Sequence, residues 1–210
     1  MQPRKNSGTL FIVSAPSGAG KTTLCTHALS LIPNLHFSVS YTTRLPRPGE
    51  INDRDYSFIS PEEFKTMIEK GEFAEWAEVH GAFYGTSRKR LEALVDSGKD
   101  VMLDIDTQGA LQIKRNYREG VYIFVLPPSL DVLKTRLKNR MTDSRDDIDR
   151  RLRAALSEIK TYEQYDYVII NDSFEDALKE LASILIAQRA RVQKINPLWI
   201  QESFFNEEDK

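Results

Sequence analysis

The 210-residue sequence predicts an α/β fold: a largely parallel sheet flanked by helices, with an inserted small α+β lobe and a helical lid. Three observations predict it. Four apolar runs, at residues 10–13, 100–106, 121–126 and 167–170, have the composition of strands buried on both faces, as parallel strands are. These runs alternate with stretches of helical periodicity, the pattern of strand–helix–strand units. Residues 40–86 break the alternation with short strands and turns and read as a smaller inserted lobe, and a polar stretch at 141–147 between two helical segments reads as a flap. The length suits one domain with a sizeable core.

Leu10-Phe11-Ile12-Val13 leads into Ser14-Ala15-Pro16-Ser17-Gly18-Ala19-Gly20-Lys21-Thr22-Thr23. Leu24, Ala28 and Leu31 then recur at helical spacing, so a helix is expected from about residue 20 to 32. Strand, glycine-bearing loop and helix in that order are the context of a phosphate-binding loop, which puts the sheet in the P-loop NTPase type. Gly18 and Gly20 permit positive φ and close approach of backbone N–H groups to an anion. Lys21 would reach the β and γ phosphates, and Thr22 would offer its hydroxyl to Mg²⁺. The strict pattern starts with glycine where this chain has Ala15; a chance glycine turn is the competing reading.

Residues 37–40 alternate and read as a strand. A loop over 41–50 carries two prolines, a glycine, Arg44 and Arg47. Residues 56–59 form a short strand. Ser60-Pro61-Glu62-Glu63 starts a helix with an N-cap serine, a proline at the first helical position and a capping-box glutamate. That helix packs through Phe64, Met67 and Ile68 and ends at Gly71. Residues 73–79 and 82–84 are expected to be strands, with Trp76 in the core. Ser87 caps a helix holding Leu91, Leu94 and Val95, closed by Gly98. The strand over 100–106 ends in acids. A helix over 107–117, a strand stopped by Pro127-Pro128, and a Ser129-capped helix with Leu130, Leu133 and Leu137 follow. Ile148, Leu152, Ala155 and Ile159 mark a long helix. Residues 167–170 read as a fourth core strand and 174–192 as the last helix; the acidic tail after Trp199 is expected to be loosely attached.

Lys and Arg number 29 against 31 Asp and Glu. Such a balance offers no argument for nucleic acid or an anionic membrane, so any anion site is built locally. The one cysteine, Cys25, excludes an intramolecular disulfide framework and a cysteine-based metal site; its expected role is packing. His27, His36 and His80 lack metal-ligand spacing. A short polar N-terminus and the lack of an 18-residue apolar run predict neither signal peptide nor membrane span, and hence the cytoplasm.

Asp104 and Asp106 fall at the carboxyl end of a buried strand, where open α/β sheets bind ligands, and an acid there can hold the water shell of Mg²⁺. Asp106 alternatively caps the next helix. Arg136 and Arg140 share a helix face at i, i+4, and Arg150 and Arg151 open the helix beyond the polar stretch. They read as phosphate-neutralising groups on a hinged flap, or as a solvated surface paired with Asp143, Asp146 and Asp147. Arg44 and Arg47 present planar forks suited to phosphate, and Tyr56 and Tyr84 offer hydroxyl donors.

The chain resembles the guanylate kinase family from about Thr9 to Arg189. The resemblance is carried by Ser14-Ala15-Pro16-Ser17-Gly18-Ala19-Gly20-Lys21, Thr42-Thr43-Arg44-Leu45-Pro46-Arg47, Tyr84-Gly85-Thr86, Leu103-Asp104-Ile105-Asp106-Thr107-Gln108-Gly109 and Val168-Ile169-Ile170-Asn171-Asp172. It implies ATP + GMP to ADP + GDP with Mg²⁺, in a core (about 8–39, 87–135 and 160–195), a GMP-binding lobe (40–86) and a lid (136–159), followed by a tail (196–210). By the same resemblance Arg44, Arg47, Tyr56 and Tyr84 hold the GMP phosphate, and Ser40, Glu75, Thr86 and Asp106 read guanine. Asp104 supports the metal site with Thr22. Arg136, Arg140 and Arg151 are the phosphate-facing lid arginines, and Asn171 lies where adenine is contacted. The family carries glycine where this chain has Met141. Residue by residue, Glu75 also reads as a surface acid on a short strand beside Glu72 and Glu78. A homo-oligomer is compatible with the resemblance. The rival functions are a kinase for another small phosphate acceptor and a non-catalytic module that binds phosphorylated partners.

Overall fold

The computed structural model describes residues 3–4, 7–79, 81–138 and 145–205. In chain order the first elements are β1 (Leu10–Ser14), α1 (Lys21–Leu31), β2 (Leu35–Phe37), β3 (Tyr41–Thr42), β4 (Ser57–Phe58), α2 (Pro61–Glu69), β5 (Phe73–Val79) and β6 (Ala82–Ser87). Then come α3 (Arg88–Asp96), β7 (Asp100–Asp104), α4 (Thr107–Asn116), β8 (Val121–Leu126), α5 (Leu130–Lys138), α6 (Arg145–Ile159), β9 (Tyr167–Ile170), α7 (Phe174–Arg189) and α8 (Pro197–Phe204).

Every side chain of β1 is buried, which is why an unbroken apolar run occupies the middle of the main sheet. The order is β2-β7-β1-β8-β9 and every pairing is parallel. Phe11 and Val13 face α1 and α7 through Leu24, Ala28, Leu181 and Leu185. Leu10 and Ile12 face α3 and α4 through Leu91, Ala110 and Ile113. Cys25 is buried in the first of these layers.

Residues 41–42, 57–58, 73–79 and 82–87 form a second sheet in the order β4-β3-β6-β5. Phe64 of α2 stacks on Phe73 and Phe83, with ring centroids 4.4 Å and 5.4 Å apart. Two straps tie this sheet to the main body. Gln112 of α4 clasps the backbone of Trp76, donating from Nε2 to its carbonyl at 2.7 Å and accepting from its N–H at 3.2 Å. Arg90 of α3 lies 4.5 Å from the centroid of the Tyr41 ring and donates to the Ser57 hydroxyl at 2.8 Å. α5 and α6 pack on each other through Leu133, Leu137 and Ala155.

Several expected boundaries move. The strand expected at 37–40 is β2, which ends at Phe37; Ser38 still donates its N–H to Met102, but Val39 and Ser40 leave the sheet. β7 stops at Asp104, because Asp106 turns out to cap α4. β9 is an edge strand with only Ile169 fully buried, not a core strand. Leu31 and Trp76 are exposed rather than packed, and β6 runs on to Ser87. The tail is helical to Phe204, started by the Asn196 side chain and Pro197. α6 begins at Arg145, so the polar stretch is helical in its last three residues. His80, Arg140 and Met141 lie outside the described residues.

Asp100, at the amino end of β7, is the principal polar tie across the sheet. It accepts from the Thr9 N–H at 2.7 Å and from Arg189 Nε at 2.6 Å, and Arg189 also donates to the Pro33 carbonyl at 2.7 Å. Arg189→Ala leaves a buried carboxylate without its cation and is expected to cost about 3 kcal/mol in urea denaturation. A loss below about 1 kcal/mol, the range of surface pairs, would show that α7 is held by its apolar face alone.

Candidate active site

Val13 of β1 lies opposite Asp104 of β7, so the loop after β1 and the acids after β7 leave the sheet side by side at its carboxyl edge. Residues 15–20 turn back through two left-handed glycines, Gly18 at φ +92° and Gly20 at φ +89°, a conformation side chains oppose. Gly20 is also sterically closed, because a Cβ there would lie 2.5 Å from the Asn171 amide nitrogen.

The turn delivers Lys21 to the start of α1, where Nζ pairs with the Asp104 carboxylate and donates to the Ile105 carbonyl at 2.9 Å. Burial works to lower the Lys21 pKa, but the charge and hydrogen bond of Asp104 together hold it above its ordinary value. Three side chains grip the loop from outside. Asn171 donates to the Ala19 carbonyl at 2.7 Å. Arg136 of α5 donates to the carbonyls of Ala19 and Asn171 at 3.4 Å and 3.0 Å. Glu158 of α6 accepts from the Ser17 N–H at 3.3 Å. Ala15 and Pro16 are buried beneath the turn, while Thr22 and Thr23 are exposed at the helix start.

Beside the loop is a cleft of about 140 Å³ that gathers Ser40, Tyr56, Glu75, Tyr84, Asp104 and Asp106. Glu75 is 4% exposed, so it is no surface acid. It pairs in register with Thr86 across β5 and β6, and the Thr86 hydroxyl donates to Oε1 at 2.5 Å. That hydroxyl proton is therefore committed to the acid. Gly109 makes room for the carboxylate, since a Cβ there would lie 2.5 Å from Glu75 Oε2. Burial raises the Glu75 pKa to about 7, against the opposing hydrogen bond from Thr86. Asp106 fills both roles considered for it: Oδ1 accepts from the Gly109 N–H at 2.7 Å as the cap of α4, and the residue still lines the cleft.

The basic loop is organised by an acid to which the sequence reading attached no role. Glu50 accepts from both terminal guanidinium nitrogens of Arg44, at 2.8 Å and 3.0 Å, and from the backbone N–H of Arg47 at 2.7 Å. Arg44 is held 5.4 Å from the centroid of the Tyr56 ring, and Tyr56 meets Tyr84 edge to face. Arg47 itself is exposed. Arg151 is half-buried on α6. Glu50, Gly109 and Glu158 are the site residues missed from sequence. Gly109 belongs to the sequence motif around Asp104 and Asp106, but only its distance from Glu75 assigns it work.

A larger cleft, of about 610 Å³, lies at the amino edge of the sheet near Gly8, Leu91 and Val121. It shares none of these residues. Size points there, and chemistry points to the carboxyl edge, where an ammonium, three carboxylates and a glycine loop converge. Among the described residues no group of three or more His, Cys, Asp or Glu side chains is placed to hold a metal ion by itself.

A family model described as guanylate kinase matches residues 7–188. The chain is 54% identical over 191 residues to the guanylate kinase of Geobacter metallireducens, an alignment covering 91% of this chain and 94% of that one. Against the guanylate kinase of Geobacter sulfurreducens the identity is 53%, with the same coverage. A crystal structure of guanylate kinase from Anaplasma phagocytophilum matches with a TM-score of 0.79 and 36% identity, covering 96% of this chain and 97% of that chain.

Because folding raises the Glu75 pKa, its contribution to stability is fully present below the ordinary carboxylate value and is lost as the pH rises through about 7. Glu75→Gln keeps an oxygen for Thr86 and carries no charge. Relative to wild type it is expected to gain stability between pH 5 and pH 8 in denaturant titrations. A difference between the two proteins that is flat with pH would mean that Glu75 is ionised in the folded state throughout.

Proposed function

The chain belongs to the guanylate kinase family of ATP:GMP phosphotransferases, and we propose that Asp104 marks the boundary between its donor and acceptor sites. The supporting observation is that one carboxylate pairs with Lys21 of the loop and lines the acid-bearing cleft. On this reading residues 15–23 form a phosphate-binding loop of P-loop type for ATP, with Lys21 on the β and γ phosphates and Asn171 toward the adenine. The other side takes GMP, its phosphate on Arg44, Arg47, Tyr56 and Tyr84, its base against Ser40, Glu75, Thr86 and Asp106.

Mg²⁺ fits as a companion of ATP rather than as a resident ion, since such ions take one or two protein oxygens besides phosphates and water. Thr22 and Asp104 would hold it, and when bound it neutralises phosphate charge. Transfer then depends on placement and charge rather than on covalent chemistry. The GMP phosphate is already an anionic nucleophile and calls for no general base. Residues 136–159 act as the lid over the core, bringing Arg136, Arg140 and Arg151 to the transferring group and excluding water. Residues 40–86 act as the lobe that carries GMP in. No helix of the described residues is long and apolar enough to cross a membrane, which is compatible with a cytoplasmic enzyme.

Base choice rests on Glu75. An ionised carboxylate is acceptor-only and matches the adjacent N1–H and N2 amino donors of guanine. Adenine presents an acceptor at N1 and no amino group at C2, so it leaves the buried carboxylate with the Thr86 hydroxyl but without its base donors, at roughly 2–3 kcal/mol.

A coupled ADP-release assay over a panel of nucleoside monophosphates with Mg²⁺-ATP is expected to show turnover with GMP far above the others. Equal turnover with AMP or a pyrimidine nucleotide would contradict the base assignment. Lys21→Ala is expected to keep the fold and lose roughly 10²-fold in turnover, as when one preorganised charge donor is removed. Near-normal turnover would exclude this loop as the transfer site. Glu75→Ala is expected to lower kcat/KM for GMP and shrink the GMP-over-AMP preference while leaving the KM for ATP unchanged. An unchanged ratio would remove Glu75 from base recognition.

A further inference from the structure

We infer that Glu158 is a positioning residue for phosphoryl transfer: through the Ser17 N–H it fixes the face of α6 that carries Arg151 against the phosphate-binding loop. The inference rests on the reading of Arg151 as a phosphate-facing lid arginine. Its physical content is a contact between residues 141 positions apart, Glu158 Oε2 to Ser17 N at 3.3 Å.

Along α6 from residue 148 onward the residues turned inward are Ile148, Arg151, Leu152, Ala155, Glu158 and Ile159, while 149, 150, 153, 154, 156 and 157 are exposed. Ile159 and Leu152 pack with Ala155 on Leu133 and Leu137 of α5, and those two leucines in turn lie 3.1–3.2 Å from where a Gly18 side chain would be. The apolar seam therefore sets which side of α6 faces the loop, but a greasy seam permits sliding and rolling. The polar contact removes that freedom. Arg151 and Glu158 are seven residues apart, close to two helical turns, so they project on one side about 10 Å from each other. Pinning Glu158 to the loop thus orients the guanidinium two turns up the helix.

An acid at such a loop could instead act as a plug against phosphate. The end of the helix favours a brace. The Glu158 carbonyl accepts from Thr161 twice, from N–H at 3.0 Å and from the hydroxyl at 2.7 Å, so the acid projects from a backbone that is itself tied down.

Steady-state kinetics with ATP and GMP, with melting temperatures as a control, on E158Q, E158D, E158A, R151A and the double variant E158A/R151A test this. E158Q retains an acceptor oxygen at the same reach, and its kcat is expected to stay within about twofold of wild type. E158D keeps the charge but falls one methylene short, and its kcat is expected to drop roughly tenfold, the effect of losing one hydrogen bond to a charged group, with the KM for GMP within about twofold. E158A is expected to match E158D, and the double variant to be no more than about twofold below R151A, because both changes remove one function. An impaired E158Q beside a normal E158D, or losses that multiply in the double variant, would overturn the inference. So would an E158A with normal kcat and a lower KM for ATP, the behaviour of a plug. R151A with wild-type kcat would remove Arg151 from transfer and this inference with it. An impaired R151A beside a normal E158A and E158D would overturn the inference alone and leave the lid reading standing. If E158A does not fold, the E158Q and E158D pair carries the same discrimination.

Discussion

The pairing of Lys21 with Asp104 is the interaction on which the rest of the site depends. It exists because β1 and β7 are parallel neighbours in register, Val13 beside Asp104, so that a loop and an acid from distant parts of the chain leave the sheet together. The pair is nearly dry: the side chains of Lys21 and Asp104 keep only 17% and 8% of their exposure. Buried ionic groups need partners more than they add stability. Here each has further partners or a further duty. Lys21 also holds the Ile105 carbonyl, and Asp104 also faces the cleft.

The loop is shaped from inside by two glycines in the left-handed region and held from outside by Asn171, Arg136 and Glu158. These three come from after β9, from α5 and from α6, so a turn of half a dozen residues is a meeting point for much of the C-terminal half. On the proposed function, preorganisation of that kind has a catalytic consequence. Donors already aimed at an anion do not have to be reorganised when charge moves during transfer.

The acid-bearing cleft follows the opposite logic. Glu75 is buried in a small sheet whose own core is a stack of Phe64, Phe73 and Phe83, and burial penalises the ionised form that the proposed guanine contact requires. The fold accepts that cost and limits it with one hydroxyl from Thr86 and the space left by Gly109. Gln112 and Arg90 strap the sheet to α4 and α3. The acid is thereby held beside Asp106 at the edge of the main sheet.

What was legible in the sequence was local. The apolar runs of β1, β7 and β8 and the helical periodicities between them determine an α/β fold, and the glycine-bearing loop points to one edge of its sheet as a candidate anion site, because each signal is written within about fifteen consecutive residues. The cap serines at 60, 87 and 129 were readable for the same reason: a cap and the N–H it satisfies are three residues apart. Strand ends at Phe37 and Asp104, the exposure of β9 and the helical tail were not, because tertiary pairing and burial override propensity at element boundaries. The division of labour among the acids was decided only in three dimensions. Three acids occur on or next to β5 as near-equals in the sequence, and pairing across to Thr86 and the gap at Gly109 bury Glu75 alone among Glu72, Glu75 and Glu78. Asp106 serves cap and cleft together, Glu50 orders the arginine fork, and Glu158 reaches a loop 141 residues away. Periodicity and composition carry no record of contacts at such separations; they arise when packing of the apolar faces brings the chain's distant parts to one edge of the sheet.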